Sequence, residues 1–282
     1  MLSKKKPSDC RSFSACEKWW QSQNTESRTN SQSFMPSDYT DYYALRQVPP
    51  AGSTASSLPG YLIRNLPANR QARILDIGCG HGEALRALRE MGYTNIQGVD
   101  VSSDAVLHCQ ALGLNVSRIE AIEDFTANPS QRYDFILMTH VLEHVPKPQI
   151  IPNLRHIRTS LLAGTGSYYV AVPNAQSNTG CYWAYEDFTH ETLFTAGSLY
   201  FVLKHAGFET ISFLDPDGLA GGSRWKRPFR RMLLRFYRRR IEFWNRVTAS
   251  AFHTQSPMIF TFELKAIAFA SPLAIRQSGH GI

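Results

Sequence analysis

Ile74-Leu75-Asp76-Ile77-Gly78-Cys79-Gly80-His81-Gly82-Glu83 reads as a strand that stops in a glycine turn and resumes as a helix. The apolar residues of 73–77 predict the strand, and Ala84, Leu85 and Leu88 share one face of a helix over 83–91. Glycines here let a ligand approach the backbone. The spacing is G-x-G-x-G, whereas the dinucleotide fingerprint is G-x-G-x-x-G with a pyrophosphate on the helix N-terminus. Asp76, directly before the turn, would repel a diphosphate and attract a cation.

Outward from this turn, Gly98-Val99-Asp100-Val101-Ser102 ends a second strand (residues 96–101) and places Asp100 about 20 residues on, where a carboxylate can accept from ribose hydroxyls. A third acidic stretch, Glu120-Ala121-Ile122-Glu123-Asp124, follows a weak strand and can place a group at an adenine. Each acid alone could be an ordinary turn carboxylate. Three in register with one glycine turn favour a ligand that is cationic and nucleoside-bearing, as S-adenosylmethionine is. Further strands are expected at 133–138, 166–172, 208–214 and 258–270, and further helices at 103–112, 149–162 and 199–206. Such alternation implies an α/β, mainly parallel sheet covered on both faces, with ligands at the carboxyl ends of its strands.

The runs ILDIGCGHGEAL, GVDVS, YDFILMTHVLEHVPKP, YYVAVPN and DFTHETLFTAGSLYFVLKHAGF together resemble the class I methyltransferases. The likeness is to the bacterial group of ubiquinone-biosynthesis O-methyltransferases and small-molecule and surface-glycan methyltransferases, and it spans about residues 70–215. It implies a Rossmann-like seven-stranded sheet and S-adenosyl-L-methionine as cofactor. It also implies that Asp76, Gly78 and Gly80 hold the methionine part, Asp100 with Val101 the ribose, Ile122 and Glu123 the adenine, and that Thr139 and His140 face the reactive methyl.

Thr139-His140-Val141-Leu142-Glu143-His144-Val145-Pro146 contains H-x-x-E-H, a zinc-peptidase pattern that needs a helix. Here it follows a strand, and Pro146 and Pro148 cut off any long helix, so that reading is set aside. If the turn were helical, His140, Glu143 and His144 would share a face at i, i+3 and i+4. In the resembling quinone O-methyltransferases such positions are associated with a divalent ion. Histidine at 140 makes a hard ion such as magnesium a poor match, so a divalent metal is possible but not favoured over a reading in which Glu143 and His144 anchor the loop. Methyl transfer to oxygen needs an aligned nucleophile and a destination for its proton. His144 and His190 are the candidate bases, against the plainer reading that both are satisfied loop histidines. Tyr182, Trp183 and Tyr185 suit a sugar or aromatic acceptor, or lid packing.

Residues 224–244, RWKRPFRRMLLRFYRRRIEFW, form a basic amphipathic helix in which Phe229, Met232, Leu233, Phe236, Tyr237, Ile241 and Trp244 recur at helical spacing. Residues 215–250 hold ten Lys or Arg against three acids, a surplus equal to the net charge of the whole chain, +7. The electrostatic role therefore belongs to this segment, through a phosphate-bearing acceptor or an anionic inner membrane surface, or else its arginines are simply solvated. Nucleic acid rests on charge alone and is not expected. The organisation expected is a covering segment or tail over 1–55, with Trp19 and Trp20, and a methyltransferase domain over 56–282 carrying the basic insertion at about 216–256. Five scattered cysteines without a C-x-x-C pair fit reduced thiols. No apolar stretch follows the basic N-terminus, so a cytoplasmic protein, peripheral at the inner membrane face through its helix, is expected. The acceptor expected is a sugar or glycan hydroxyl of cell-surface polysaccharide biosynthesis. The alternatives are a quinone precursor, or an inactive cofactor-binding or membrane-associated partner protein.

Overall fold

The computed structural model describes residues 58–127, 131–220, 223–250 and 257–271. The segment expected over 1–55 lies outside them. The elements in chain order are α1 (Gly60–Ile63), β1 (Ile74–Ile77), α2 (Glu83–Glu90), β2 (Ile96–Asp100), α3 (Ser103–Ala111), β3 (Val116–Arg118) and β4 (Tyr133–Thr139). There follow α4 (Lys147–His156), β5 (Leu162–Pro173), α5 (Trp183–Glu186), α6 (Ala196–His205), β6 (Thr210–Phe213), α7 (Arg227–Val247) and β7 (Glu263–Phe269). The seven strands form one sheet in the order β3-β2-β1-β4-β5-β7-β6. β7 runs antiparallel to its neighbours β5 and β6, and the pairs from β3 to β5 are parallel.

Successive strand residues point to opposite faces, and the core divides accordingly. Leu75, Ile77, Ile136, Met138, Tyr168 and Val170 pack with Leu154 of α4 and Leu199 and Leu203 of α6. Ile74, Phe135, Leu137, Tyr169 and Ala171 pack on the other face with Leu62, Leu88 and Tyr93. Each such side chain, removed from water, contributes roughly 1.5–3 kcal/mol before its entropy cost. The central strands therefore form a rigid platform for whatever their ends carry.

Two elements differ from expectation. Pro148 stands in the first turn of α4, where a missing N–H costs little, and the helix ends at His156 before a π turn over Ile157–Leu161. The last strand begins at Glu263, not 258, because Asn174 Nδ2 donates to the carbonyls of Ile259 (2.8 Å) and Thr261 (2.9 Å). Those carbonyls are held by a side chain instead of a ladder. The described cysteines Cys79, Cys109 and Cys181 are free thiols.

Strand order reverses between β1 and β4, which opens a crevice at their carboxyl ends. The turn after β1 enters it with Gly78 at φ 72°, and a Cβ there would overlap Val141 of the segment after β4. Gly78→Ala is therefore expected to lose about 2–4 kcal/mol of unfolding free energy, from left-handed strain and overpacking together. Urea denaturation of the variant gives the value; an unchanged midpoint would mean that Val141 does not press on this turn.

Candidate active site

The site has two poles, one on each side of the crevice. The first is built on β1 and β2. Asp76 is the next-to-last residue of β1 and is buried. Asp100 ends β2, one strand over, and is also buried; its Oδ2 accepts from Gly80 N–H (2.8 Å) and its Oδ1 from Ser102 N–H (2.9 Å). These bonds tie the glycine turn to the second strand. Burial, with the Asp100 charge adding to it, pushes Asp76 up to about 7. Burial also raises Asp100, against the opposing hydrogen bonds from Ser102, Gly80 and Val101. Two carboxylates buried close enough for the Asp100 charge to raise Asp76 favour a positively charged ligand, His81 offsetting only part of the burial at Asp100. The positively charged end of S-adenosylmethionine meets that preference, and the glycines leave the turn free of side chains, so these residues fit that cofactor. Ile122 and Glu123 sit in a 3-10 turn over Ile122–Asp124; Ile122 packs into the core and Glu123 is exposed. Val101 is half-buried, and its carbonyl accepts from Arg118 Nε (3.2 Å).

The second pole follows β4. Thr139 ends the strand, and His140 takes φ 54°, a left-handed conformation costing roughly 1–3 kcal/mol in a residue with a Cβ. Its ring holds that place through two carboxylates: Nδ1 lies 3.3 Å from Glu143 Oε1 and Nε2 3.1 Å from Glu263 Oε2. Burial alone would lower its pKa, but these two partners outweigh burial and raise it to about 9. Leu142–His144 is a single 3-10 turn, so the i, i+3, i+4 helical face considered for His140, Glu143 and His144 does not form. Instead the segment after α5 closes over the turn. The N–H groups of Glu191 (2.9 Å) and Thr192 (3.1 Å) donate to the Glu143 carbonyl. This brings the His190 ring to 4.7 Å from that of His144, centre to centre, with His190 Nε2 4.0 Å from Glu143 Oε1 and 3.7 Å from Asp187 Oδ2.

The protonation of His144 follows from its neighbours. Thr189 Oγ1 donates to Asp187 Oδ1 (2.6 Å), so it is left to accept from His144 Nδ1–H (2.9 Å). That assigns the Nδ1–H tautomer and puts the ring's lone pair on Nε2. Burial lowers the His144 pKa, and His190 adds to this against Glu143. His144 is thus a neutral imidazole at pH 7, whereas His140 is charged. Only the former can take up a proton.

Glu263, Asp187 and Thr189 were absent from the sequence-derived set. Glu263 reaches the site because β7 is antiparallel and pairs Pro173 with Glu263 at the active edge. A glutamate and a lysine, Glu263 and Lys265, in an otherwise apolar strand were the available signal. Glu263 also walls a cavity of about 480 Å³ with Tyr61, Lys265, Arg230, Arg238 and Phe260. A larger one, about 670 Å³, lies at the opposite edge of the sheet beside Arg70, Asp134 and Ser167 and holds none of the candidate residues.

Residues 54–213 match the family model described as "Methyltransferase domain". The chain belongs to the S-adenosylmethionine-dependent methyltransferases. Among curated proteins it is similar to the ubiquinone biosynthesis O-methyltransferases of Xylella fastidiosa (35% identity over 96 residues, 32% of this chain and 38% of that protein). It is likewise similar to that of Klebsiella pneumoniae (31% over 97 residues, 33% and 40%). It thus spans about two fifths of the length of these relatives. Among solved structures it resembles a SAM-dependent methyltransferase from Archaeoglobus fulgidus, with TM-score 0.53 and 25% identity, covering 73% of this chain and 90% of that one. It shares the fold of another from Mesorhizobium loti (TM-score 0.50, 16% identity, 76% and 97%).

Two outcomes are expected of this methyltransferase. Asp100→Ala should weaken S-adenosylmethionine binding by about 1.5–3 kcal/mol in calorimetry, the loss of a charge-assisted acceptor; unchanged affinity would remove Asp100 from the site. The second concerns His140, whose folded pKa of about 9 lies above the ~6.5 of an unfolded histidine. Its stabilisation is present in full below about pH 6.5 and is lost as pH rises through about 9. Wild type should therefore lose about 1 kcal/mol across that window relative to His140→Gln, a small value because water screens the exposed side of the ring. Parallel urea curves for the two proteins at every pH would contradict this.

Proposed function

We propose that this methyltransferase methylates the hydroxyl of a sugar or glycan, with His144 as the base that takes the hydroxyl proton. The observation that carries the reading is the chain Asp187–Thr189–His144, which holds one imidazole neutral and in a single tautomer at the carboxyl edge of the sheet. S-adenosylmethionine, when bound, supplies an electrophilic methyl group. Asp76 and Asp100 bind and orient its cationic end and its ribose, and Thr139 stands at the strand end between the two poles. His144 accepts the proton at Nε2, and the carboxylate of Asp187, through the Thr189 hydroxyl, stabilises the imidazolium that results. Buried Glu143 and neighbouring His190 add a charge and a ring that orient the acceptor. The cavity walled by Glu263, the partner of His140, with Tyr61, Phe260, Arg238 and Lys265, offers a polar surface with flat faces next to this pole, outside the reach of His144 itself. The methylated sugar or glycan would belong to cell-surface polysaccharide biosynthesis.

A second reading, O-methylation of a quinone precursor, is favoured by the partial likeness to the ubiquinone O-methyltransferases. The cluster itself bears on it. The ligand atoms of Glu143, His144 and His190 lie within 4.8 Å of one another, and Glu143 Oε2 is buried with no hydrogen-bond partner among the described residues. Two imidazoles and one carboxylate suit a borderline ion such as zinc better than magnesium, and such an ion would polarise an acceptor oxygen.

The test is transfer of a labelled methyl group from S-adenosylmethionine to nucleotide sugars, lipid-linked glycans and catechol-type quinone precursors. Label in the glycan fraction, with kcat falling ~100-fold in His144→Gln at little changed KM, supports the proposal. Chelator treatment should change that kcat less than two-fold. Label only in the catechols, or activity lost to chelator and restored by zinc, would replace it with the second reading.

A further inference from the structure

α7 is a 21-residue helix, and none of its residues is buried. The sequence pattern gave it one apolar face, but the structure divides its apolar residues between two. One seam, Leu234, Tyr237, Arg238 and Ile241, is half-buried against the domain. Here Tyr237 meets the ring of Phe260 edge-on at 5.1 Å and donates to Asn178 Oδ1 (3.1 Å), while Arg238 pairs with Asp217. At 3.6 residues per turn the opposite side of the helix carries Phe229, Met232, Phe236, Phe243 and Val247. These five are 43–60% exposed. Trp225, in the turn before the helix, is 93% exposed. Such an array of large apolar groups on one ridge is what marks an interaction surface, rather than scattered exposure.

Charge accompanies the ridge along one flank. Arg231, Arg235 and Arg239 follow one another at i, i+4, a like-charge line that destabilises a helix in water. Lys226, Arg227, Arg230 and Arg231 crowd its N-terminal turns, where the helix dipole is already positive and where no acid stands. This arrangement does not serve the helix itself. Arg227 and Arg230 donate to the carbonyls of Ala220 (3.1 Å) and Gly218 (3.0 Å), but the exposed line Arg231, Arg235 and Arg239 becomes favourable against an anionic surface.

We propose that the outer face of α7 seats the methyltransferase on an anionic lipid bilayer, with the ridge from Phe229 to Val247 entering the acyl boundary and the flanking arginines meeting lipid phosphates. Charge and shape decide for this occupant. Residues 224–247 contain a single acid, Glu242, so two copies of the face would set arginine against arginine. Nucleic acid would satisfy the arginines but offers no apolar layer for five exposed apolar side chains. A bilayer surface of acidic lipids offers both. No helix among the described residues is long and apolar enough to cross a membrane, which agrees with a helix lying on one.

The test is flotation of the full chain with vesicles of phosphatidylcholine and phosphatidylglycerol against phosphatidylcholine alone, at low and at about 0.5 M salt. The expected result is binding to the anionic vesicles that falls at least ten-fold with neutral lipid or added salt. Phe236→Ser/Phe243→Ser should abolish it. Arg231→Gln/Arg235→Gln/Arg239→Gln should weaken it by about five-fold per arginine removed. All these side chains face solvent, so melting temperature and S-adenosylmethionine affinity should stay at the wild-type values, which separates loss of docking from loss of fold. No flotation, or equal flotation of wild type and both variants, would overturn the proposal. So would a concentration-dependent dimer dispersed by the phenylalanine variant without lipid binding, or RNA binding that survives that variant in a protein that ignores vesicles.

Discussion

The architecture of the site depends on two carboxylates buried side by side at the ends of adjacent strands. Asp76 and Asp100 are held there by the parallel register of β1 with β2, which aligns Ile77 with Val99. Their mutual repulsion would be relieved if either side chain could turn to water. Asp100 cannot, because the Gly80 and Ser102 amides fix both of its oxygens, and Asp76 is the next-to-last residue of a strand buried on both faces. The glycine turn is tied to the second strand by that placement, at the crevice that the reversal of strand order opens.

The opposite pole solves a related problem with imidazoles. Among the described residues no lysine or arginine pairs with buried Glu143, and a histidine takes that place. His140 does so by staying protonated between Glu143 and Glu263, while His144 turns to Thr189 and stays neutral. Two histidines four residues apart thus carry different charges at one pH, and the difference comes from their partners.

Much of this was legible in the sequence because it is local. The run from Ile74 to Glu83 contains its strand, its turn and the start of its helix, and Asp100 could be placed by spacing alone. The parts that escaped are those made by distant chain segments. Glu263 lies 123 residues from its partner His140 and meets it only because β7 runs antiparallel. The H-x-x-E-H spacing suggested one helical face, but the chain bends at His140 into a left-handed conformation, and the third member of the cluster is His190 from beyond β5. On α7 the apolar residues are so numerous that spacing alone could not say which of them pack inward. Burial separates Leu234 and Ile241 from Phe236 and Phe243.

The central claim is that the Asp76–Asp100 pair binds the cationic end of S-adenosylmethionine. With Asp76 raised to about 7, most molecules carry it protonated at pH 6, and binding a cation must expel that proton. Calorimetric titration with S-adenosylmethionine at pH 6, in buffers of different ionisation enthalpy, measures this directly. The account predicts release of close to one proton per ligand bound, an affinity that rises toward pH 7 and then levels, and neither effect in Asp76→Asn. Binding without proton release, equally tight at pH 6 and pH 7, would contradict it.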